Sequence, residues 1–172
     1  AFTYAPVGGT REAGAAPAGY RAVRERRRVG GTDADLEAAA AFVLGFGMQR
    51  ALGLDPVSVS PVAVEGVTVV LTAGVGPLRL RAPTRVVYVV EEADRRGFAY
   101  GTLPGYAESG EERLVVEWDR TNGEGGYDIL AFSWPRHPLA RPGYPLTRRT
   151  QRRVGRPPAR EEGARRGGVP AR

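Results

Sequence analysis

Hydrophobic positions recur along this chain with two periods, first about 3.6 residues and then 2. Between Thr32 and Gly53 the apolar and small residues follow the i, i+3, i+4, i+7 spacing of one buried helix face. Thr32 or Asp33 can cap the first turn, and Gly53 is a natural end. The pattern predicts one long helix that is covered on more than one side. Its buried face would consist of Leu36, Ala39, Ala40, Val43, Leu44 and Gly47.

From Val57 onward apolar and polar residues alternate, which is the period of a half-buried β-strand. An arginine-rich edge strand is predicted before the helix, over Tyr20–Val29. The connections are short, and short connections favour antiparallel neighbours because a parallel crossover needs a dozen or more residues. The alternation also indicates one buried and one solvated face. The predicted strands are 57–60, 67–72, 78–82, 84–91, 96–103, 111–119 and 126–134.

Together these elements predict an α+β fold in which a curved antiparallel sheet of six to eight strands wraps around a long helix, with a cavity between them. This is a helix-grip architecture, START- or Bet v-like. A closed β-barrel with a plugging helix is the alternative. We expect a single domain over residues 1–140, with an irregular arm at 1–19. Residues 141–172 would then form an arginine-rich segment that is a short helix or disordered.

The net charge of +6 belongs to that last segment. Residues 141–172 hold ten arginines and two glutamates, a balance of +8, so residues 1–140 carry −2. A basic segment can attract nucleic acid or anionic lipid by neutralising phosphates. Because the body itself is slightly acidic, nucleic-acid binding on the sheet is disfavoured.

The composition excludes several classes of site. The chain has no cysteine, so disulfides, thiolate nucleophiles and zinc fingers are absent, and its single histidine, His137, lies between prolines in a surface-like segment. We therefore predict no metal, no cofactor and no histidine-based catalysis. No apolar run reaches the ~18 residues of a membrane-spanning helix. A cytoplasmic location is expected, and the composition leaves the oligomeric state open.

The densest chemistry lies in Arg96–Tyr106 and the nearby Gly110-Glu111-Glu112. Alternation places Phe98, Tyr100 and Thr102 on one face of a strand, where they could line a ligand cavity or simply pack in the core. Glycines inside this strand indicate a bulge or a close approach of backbone, and Pro104-Gly105 reads as a turn with positive φ. The candidate ligand-binding residues are Phe98, Tyr100, Thr102, Tyr106, Glu112 and Trp118.

Glu112 is the candidate with ionisable chemistry. The same alternation groups it with Leu114, Val116 and Trp118, so it should point toward the core or a cavity rim. Burial there would raise the pKa of Glu112 unless an arginine pairs with the carboxylate or a tyrosine hydroxyl donates a hydrogen bond to it. One interpretation is a polar anchor or general acid/base at a pocket mouth. The other is a rim carboxylate paired with an arginine such as Arg96 or Arg85.

Several short motifs occur in an order that resembles a bacterial and plant family, the domain-of-unknown-function family nineteen-ninety. They are Tyr4-x-x-Val7-Gly8-x-Thr10, Gly19-Tyr20, the Arg96–Tyr106 block with its trailing acids, and Phe132-Ser133. The resemblance covers roughly residues 2–150. Tyr106 stands where a histidine is usual in this family, and Pro157-Pro158 interrupts a final helix. The resemblance implies no established activity.

The leading hypothesis is a protein that binds an apolar or amphipathic small molecule between sheet and helix, rather than an enzyme. The second is an enzyme that uses the same pocket, with Glu112 as acid/base and Tyr100 or Tyr106 as orienting hydroxyls. The third is an interaction module whose arginine-rich tail contacts nucleic acid or anionic lipid. A hydrophobic, lipid-like ligand is the partner that the first hypothesis implies.

Overall fold

A computed structural model describes residues 1–12, 17–74 and 79–135 of the chain. Two helices and seven strands occur in these ranges. The helices are α1 (Asp33–Leu44) and α2 (Gly47–Ala51). The strands are β1 (Arg21–Gly30), β2 (Asp55–Ser58), β3 (Thr68–Ala73), β4 (Leu80–Glu91), β5 (Arg95–Thr102), β6 (Glu108–Asp119) and β7 (Glu124–Pro135). The predicted arginine-rich tail, the final helix and His137 lie outside the described residues.

The predicted long helix is two helices. Thr32 caps α1 as expected, because its hydroxyl accepts from the Asp35 amide while the Asp35 carboxylate accepts from the Thr32 amide. The helix ends at Gly45, and Phe46 follows in a left-handed conformation (φ 61°). This turn buries the Phe46 ring edge-on against Phe98, with ring centroids 5.5 Å apart. Gly47, predicted on the face of α1, therefore begins α2 instead.

The strands form one antiparallel sheet in the order β1-β7-β6-β5-β4-β3-β2. Strands β1 and β2 lie at opposite edges, so the described sheet is open and the barrel alternative is wrong. The helix-grip prediction is confirmed. Within the described residues, the predicted strands 78–82 and 84–91 form a single continuous strand, β4.

We call the face of the sheet that carries α1 and α2 the inner face. Phe98, Leu114, Val116 and Ile129 project from it and pack against Leu36 and other α1 residues in a single apolar core. The predicted alternation in β6 is confirmed, since Leu114 and Val116 are buried in this core. Ion pairs tie the rim of α1 to the sheet, with Arg96 2.7 Å from Glu37.

The opposite, outer face was expected to be solvated, and this expectation is wrong. Residues 1–12, which we call the arm, lie across it, so Glu111, Arg113 and Val115 of β6 are at most 2 % exposed. A β-bulge at Val87 in β4 turns Tyr88 to the same outer face, whereas Val86 stays on the inner one. Both faces of the central strands are therefore buried. No described helix is long and apolar enough to span a membrane.

Candidate functional site

Tyr100 and Glu112 form the polar centre of the inner face. They are directly opposite each other on neighbouring strands β5 and β6, and the Tyr100 hydroxyl donates a hydrogen bond to Glu112 Oε2. The predicted arginine partners lie elsewhere: Arg96 pairs with Glu37, and Arg85 donates to Thr68 Oγ1. The hydrogen-bond partner of the Glu112 carboxylate is therefore the Tyr100 hydroxyl, and not an arginine guanidinium as predicted.

The pKa values of this pair show how unfavourable their ionisation is. Burial raises the pKa of Glu112, the hydrogen bond from Tyr100 opposes this rise, and the negative charges of Glu25 and Glu108 add to it. Burial, followed by the charge of Glu112, holds the pKa of Tyr100 well above its usual range. Burial raises the pKa of Tyr106 in the same surroundings, with Glu112 as the next cause.

A crevice lies between Tyr100 and the helix α2. It is lined by Phe46, Gln49, Val69, Leu71, Thr84, Phe98 and Tyr100. The space between these side chains is so narrow that it does not admit a water molecule. Gln49 of α2 is 2 % exposed, and its Oε1 atom has no hydrogen-bond partner. The crevice is thus apolar apart from the Gln49 amide and the hydroxyls of Tyr100 and Thr84.

The predicted site residues fall into three groups. Phe98 and Tyr100 are adjacent, with ring centroids 5.9 Å apart, and Glu112 and Tyr106 adjoin Tyr100. Thr102 is at the end of β5, where its hydroxyl lies 2.6 Å from that of Thr3 in the arm.

Trp118 is on the inner face but six residues along β6 from Glu112, a separation of about 20 Å. The Arg120 guanidinium carbon lies 5.7 Å from the centroid of the Trp118 ring. The structure therefore brings together four of the candidates, Phe98, Tyr100, Tyr106 and Glu112, and leaves Trp118 at the other end of the sheet.

A second polar cluster lies on the outer face, centred on Glu111. This carboxylate accepts four hydrogen bonds, from Tyr4 Oη (2.6 Å), the Gly8 amide (2.7 Å), and the Thr10 amide and hydroxyl (2.9 and 2.5 Å). The Tyr4 ring lies against Gly101, where an added Cβ would clash with Tyr4 Oη. The cluster fastens the arm to β5 and β6, which is a structural task.

Arg113 and Asp128 continue this cluster toward β1. Arg113 is 2 % exposed, and its Nη2 atom lies 2.5 Å from Asp128 Oδ2, while Nη1 donates to the Thr10 carbonyl. Arg24 approaches Asp128 from the solvent side with two further hydrogen bonds of 2.8 and 2.9 Å. Burial pushes the pKa of Asp128 up, but the Arg24 hydrogen bond and the charges of Arg113 and Arg24 hold it below its ordinary value.

Sequence reasoning missed Gln49 and the outer cluster. Gln49 stands between Met48 and Arg50 in a segment predicted as one helix, so nothing distinguished it from an exposed polar residue. Asp128 offered a signal, because it is an acid flanked by Tyr127 and Ile129 inside a predicted strand. Such an acid is either exposed or paired, and here it is buried and paired.

Comparison with known families decides the relationship of the chain. Residues 3–161 match a family described as Domain of unknown function (DUF1990). The chain belongs to this family. It is 38 % identical over 168 residues to a UPF0548 protein of Deinococcus radiodurans, covering 92 % of this chain and 84 % of that one. A UPF0548 protein of Arabidopsis thaliana is 40 % identical over 80 residues, or 43 % of this chain and 38 % of that one. The resemblance stated from the motifs is confirmed.

Solved structures show that this DUF1990 chain shares its fold with Bet v1-like helix-grip proteins. A norcoclaurine synthase point mutant of Thalictrum flavum superposes with a TM-score of 0.51 at 9 % identity, over 74 % of this chain and 83 % of that one. Ara h 8.0201 superposes with a TM-score of 0.50 at 9 % identity, over 77 % and 92 %. At these identities the similarity establishes the fold alone.

Proposed function

We propose that this chain binds an apolar or amphipathic small molecule between the inner face of its sheet and its helices. The observation that carries the proposal is the half-buried carboxyl group of Glu112 on that face, which accepts a hydrogen bond from the Tyr100 hydroxyl. The proposed ligand surface consists of Phe98, Tyr100, Tyr106 and Glu112.

Glu112 is half-buried, and an ionisable group taken partly out of water lowers stability unless charges or several hydrogen bonds compensate it. Glu111, the preceding residue, receives four hydrogen bonds and needs no further explanation. Glu112 receives one from the described residues, and its pKa is raised. Groups with perturbed pKa values that serve no packing purpose are concentrated at functional sites. The contrast between the two glutamates therefore supports a binding role for the inner one.

Binding requires the crevice to widen, because it does not admit a water molecule as it stands. The element best suited to move is α2, which has five residues and follows Gly45 and the left-handed Phe46. A left-handed non-glycine residue is unfavourable by roughly 1 kcal/mol or more, so this turn stores strain that a rearrangement could release. Displacing the Phe46 ring from Phe98 would open an aromatic-lined space beside Tyr100.

The fold is compatible with this role. A norcoclaurine synthase of the same fold was solved in complex with a transition state analogue, so a helix-grip protein can hold a small molecule. Catalysis by Glu112, with Tyr100 or Tyr106 as the orienting hydroxyl, stays a prediction. The third hypothesis, which rests on the arginine-rich tail, also stays a prediction because that tail is outside the described residues.

Binding of Nile red, an uncharged apolar fluorophore, tests the proposal on the full chain. We expect saturable enhancement of its fluorescence, and we expect Phe98→Ala to change the affinity severalfold because Phe98 lines the crevice. Leu130→Ala is the matched control, since Leu130 is 8 % exposed and follows the inner-facing Ile129 in β7, so alternation places it on the outer face. Equal behaviour of the two variants, or no saturable binding to the folded wild type, would contradict the proposal.

A further inference from the structure

A buried side-chain oxygen of Gln49, on the inner side of the sheet, lacks a hydrogen-bond donor. Gln49 is only 2 % exposed, it lines the crevice beside Phe98 and Tyr100, and its Oε1 atom has no donor. A buried carbonyl without a donor is unfavourable, and nearly all such atoms in folded proteins are paired. A ligand in the crevice could therefore donate a hydrogen bond to Gln49 Oε1.

The Tyr100 hydroxyl in the same crevice does not supply a donor to Gln49 Oε1. Tyr100 has one hydroxyl proton, and it is donated to Glu112. That proton is therefore not available to Gln49 Oε1, although both residues line the crevice. The Oε1 acceptor remains.

Two further carboxylates lie near the hydrogen bond between Tyr100 and Glu112. Glu25 and Glu108 act on Glu112 as like charges. Arg27 lies 3.7 Å from Glu25 and is engaged there. An anionic head group would meet this field as repulsion. A cationic head group would be attracted by it, and the aromatic faces of the crevice would add cation–π stabilisation.

From this geometry we propose that the site selects ligands with a hydrogen-bond donor at the polar end, a primary ammonium above all, and that Gln49 Oε1 is the acceptor that selects them. This inference rests on the proposed binding function. Glu112 would supply the countercharge, and Phe46, Phe98 and Tyr100 would contact the apolar part of the ligand. A fatty acid, whose polar end is an anionic acceptor, is the amphiphile that the site should reject.

Four probes that share one tail test the selection on the full wild-type chain: 4-phenylbutylamine, 4-phenylbutan-1-ol, 4-phenylbutanoic acid and butylbenzene. We expect titration calorimetry to give the tightest dissociation constant for the amine, about tenfold below that of the acid, with the alcohol between them. Gln49→Met keeps the side-chain size and removes the acceptor. It should weaken the amine about tenfold and leave butylbenzene within about twofold.

The outcomes separate the two proposals. Saturable binding of butylbenzene and the alcohol without a preference for the amine overturns the donor selection and leaves the binding function intact. Equal weakening of all four probes by Gln49→Met also overturns it, because that result assigns Gln49 a packing role. Failure of all four probes to bind the folded wild-type chain overturns the binding function, and the selection with it. The wild-type comparison needs no variant, so misfolding of Gln49→Met does not obscure it.

Discussion

Glu111 and Glu112 are adjacent in β6 and project into opposite surroundings. Glu111 lies under the arm and accepts four hydrogen bonds, whereas Glu112 lies on the inner face and accepts one from Tyr100. The two side chains are chemically identical, so any difference between matching substitutions reports the environment. This pair separates the structural face of the sheet from the face that we propose to bind ligand.

Glu112→Gln should stabilise the protein at neutral pH. The folded pKa of Glu112 is raised, so the native state holds its proton more tightly than the unfolded state. Stability therefore falls as pH rises from the ordinary glutamate value through the raised one. The amide keeps an acceptor for Tyr100 and has no charge to bury. We expect melting temperatures of the wild type to decline over this pH window and those of the variant to decline less.

Tyr100, Glu25 and Glu108 act on Glu112, Glu112 acts on Tyr106, and Arg27 pairs with Glu25. Both tyrosines have raised pKa values, so they stay neutral in the window of the experiment. Parallel pH profiles of the wild type and Glu112→Gln would contradict the burial of a titrating carboxyl there.

Glu111→Gln should have the opposite effect at neutral pH. The amide group presents a donor where the arm also presents donors, and a hydrogen bond to a charged group contributes about 1.5–3 kcal/mol. We expect a loss of about 3 kcal/mol in the free energy of unfolding, measured by urea denaturation. Tyr4→Phe, which removes one of the four donors, should lose less, about 2 kcal/mol. If Glu111→Gln lowered the free energy of unfolding by less than Tyr4→Phe does, Glu111 would not be the anchor of the arm.

Gly101→Ala should displace the arm. A Cβ at this position would overlap Tyr4 Oη, and such overpacking is unfavourable by about 1–3 kcal/mol. The clash disappears when the ring is removed, so Gly101→Ala should be nearly neutral in a Tyr4→Ala background. Urea denaturation of both single variants and the double variant gives the coupling energy. Additive losses would mean that the ring does not sit over Gly101.

Arg113→Met should be strongly destabilising, by about 3–5 kcal/mol, because it removes a buried partner of Asp128. Arg24→Met removes a partner whose side chain is 38 % exposed, and we expect a loss of about 1 kcal/mol. The double variant Arg113→Met, Asp128→Leu should recover much of the loss, since both fully buried charges are removed and Arg24, which also loses its partner, is 38 % exposed. Thermal unfolding of the three variants checks this order, and similar losses for Arg24→Met and Arg113→Met would contradict it.

Local periodicity predicted most of the fold. The cap at Thr32, the strands from β3 to β7 and the inward direction of Glu112 follow from side-chain alternation and hydrogen-bonding rules that act over a few residues. The positive φ of Gly105 followed in the same way from the turn that contains it.

The missed features depend on contacts between distant parts of the chain. The bulge at Val87 reverses the alternation of β4 and sends Tyr88 outward, although nothing in Val86-Val87-Tyr88 marks the position. The break at Phe46 follows from the fit of its ring against Phe98, not from the helix propensity of its neighbours. The burial of the outer face depends on where the arm lies, and Thr10 is 101 residues from Glu111.

That separation has a consequence for how the chain is made. The arm and β1 are synthesised about a hundred residues before β6 and β7, the strands that hold them. Until those strands emerge from the ribosome, Tyr4 and Thr10 lack Glu111, and Arg24 lacks Asp128. Folding dominated by such distant pairings is slow. The nascent chain should therefore depend on chaperone protection until β7 is complete, when β1 pairs with it and the arm closes over Glu111.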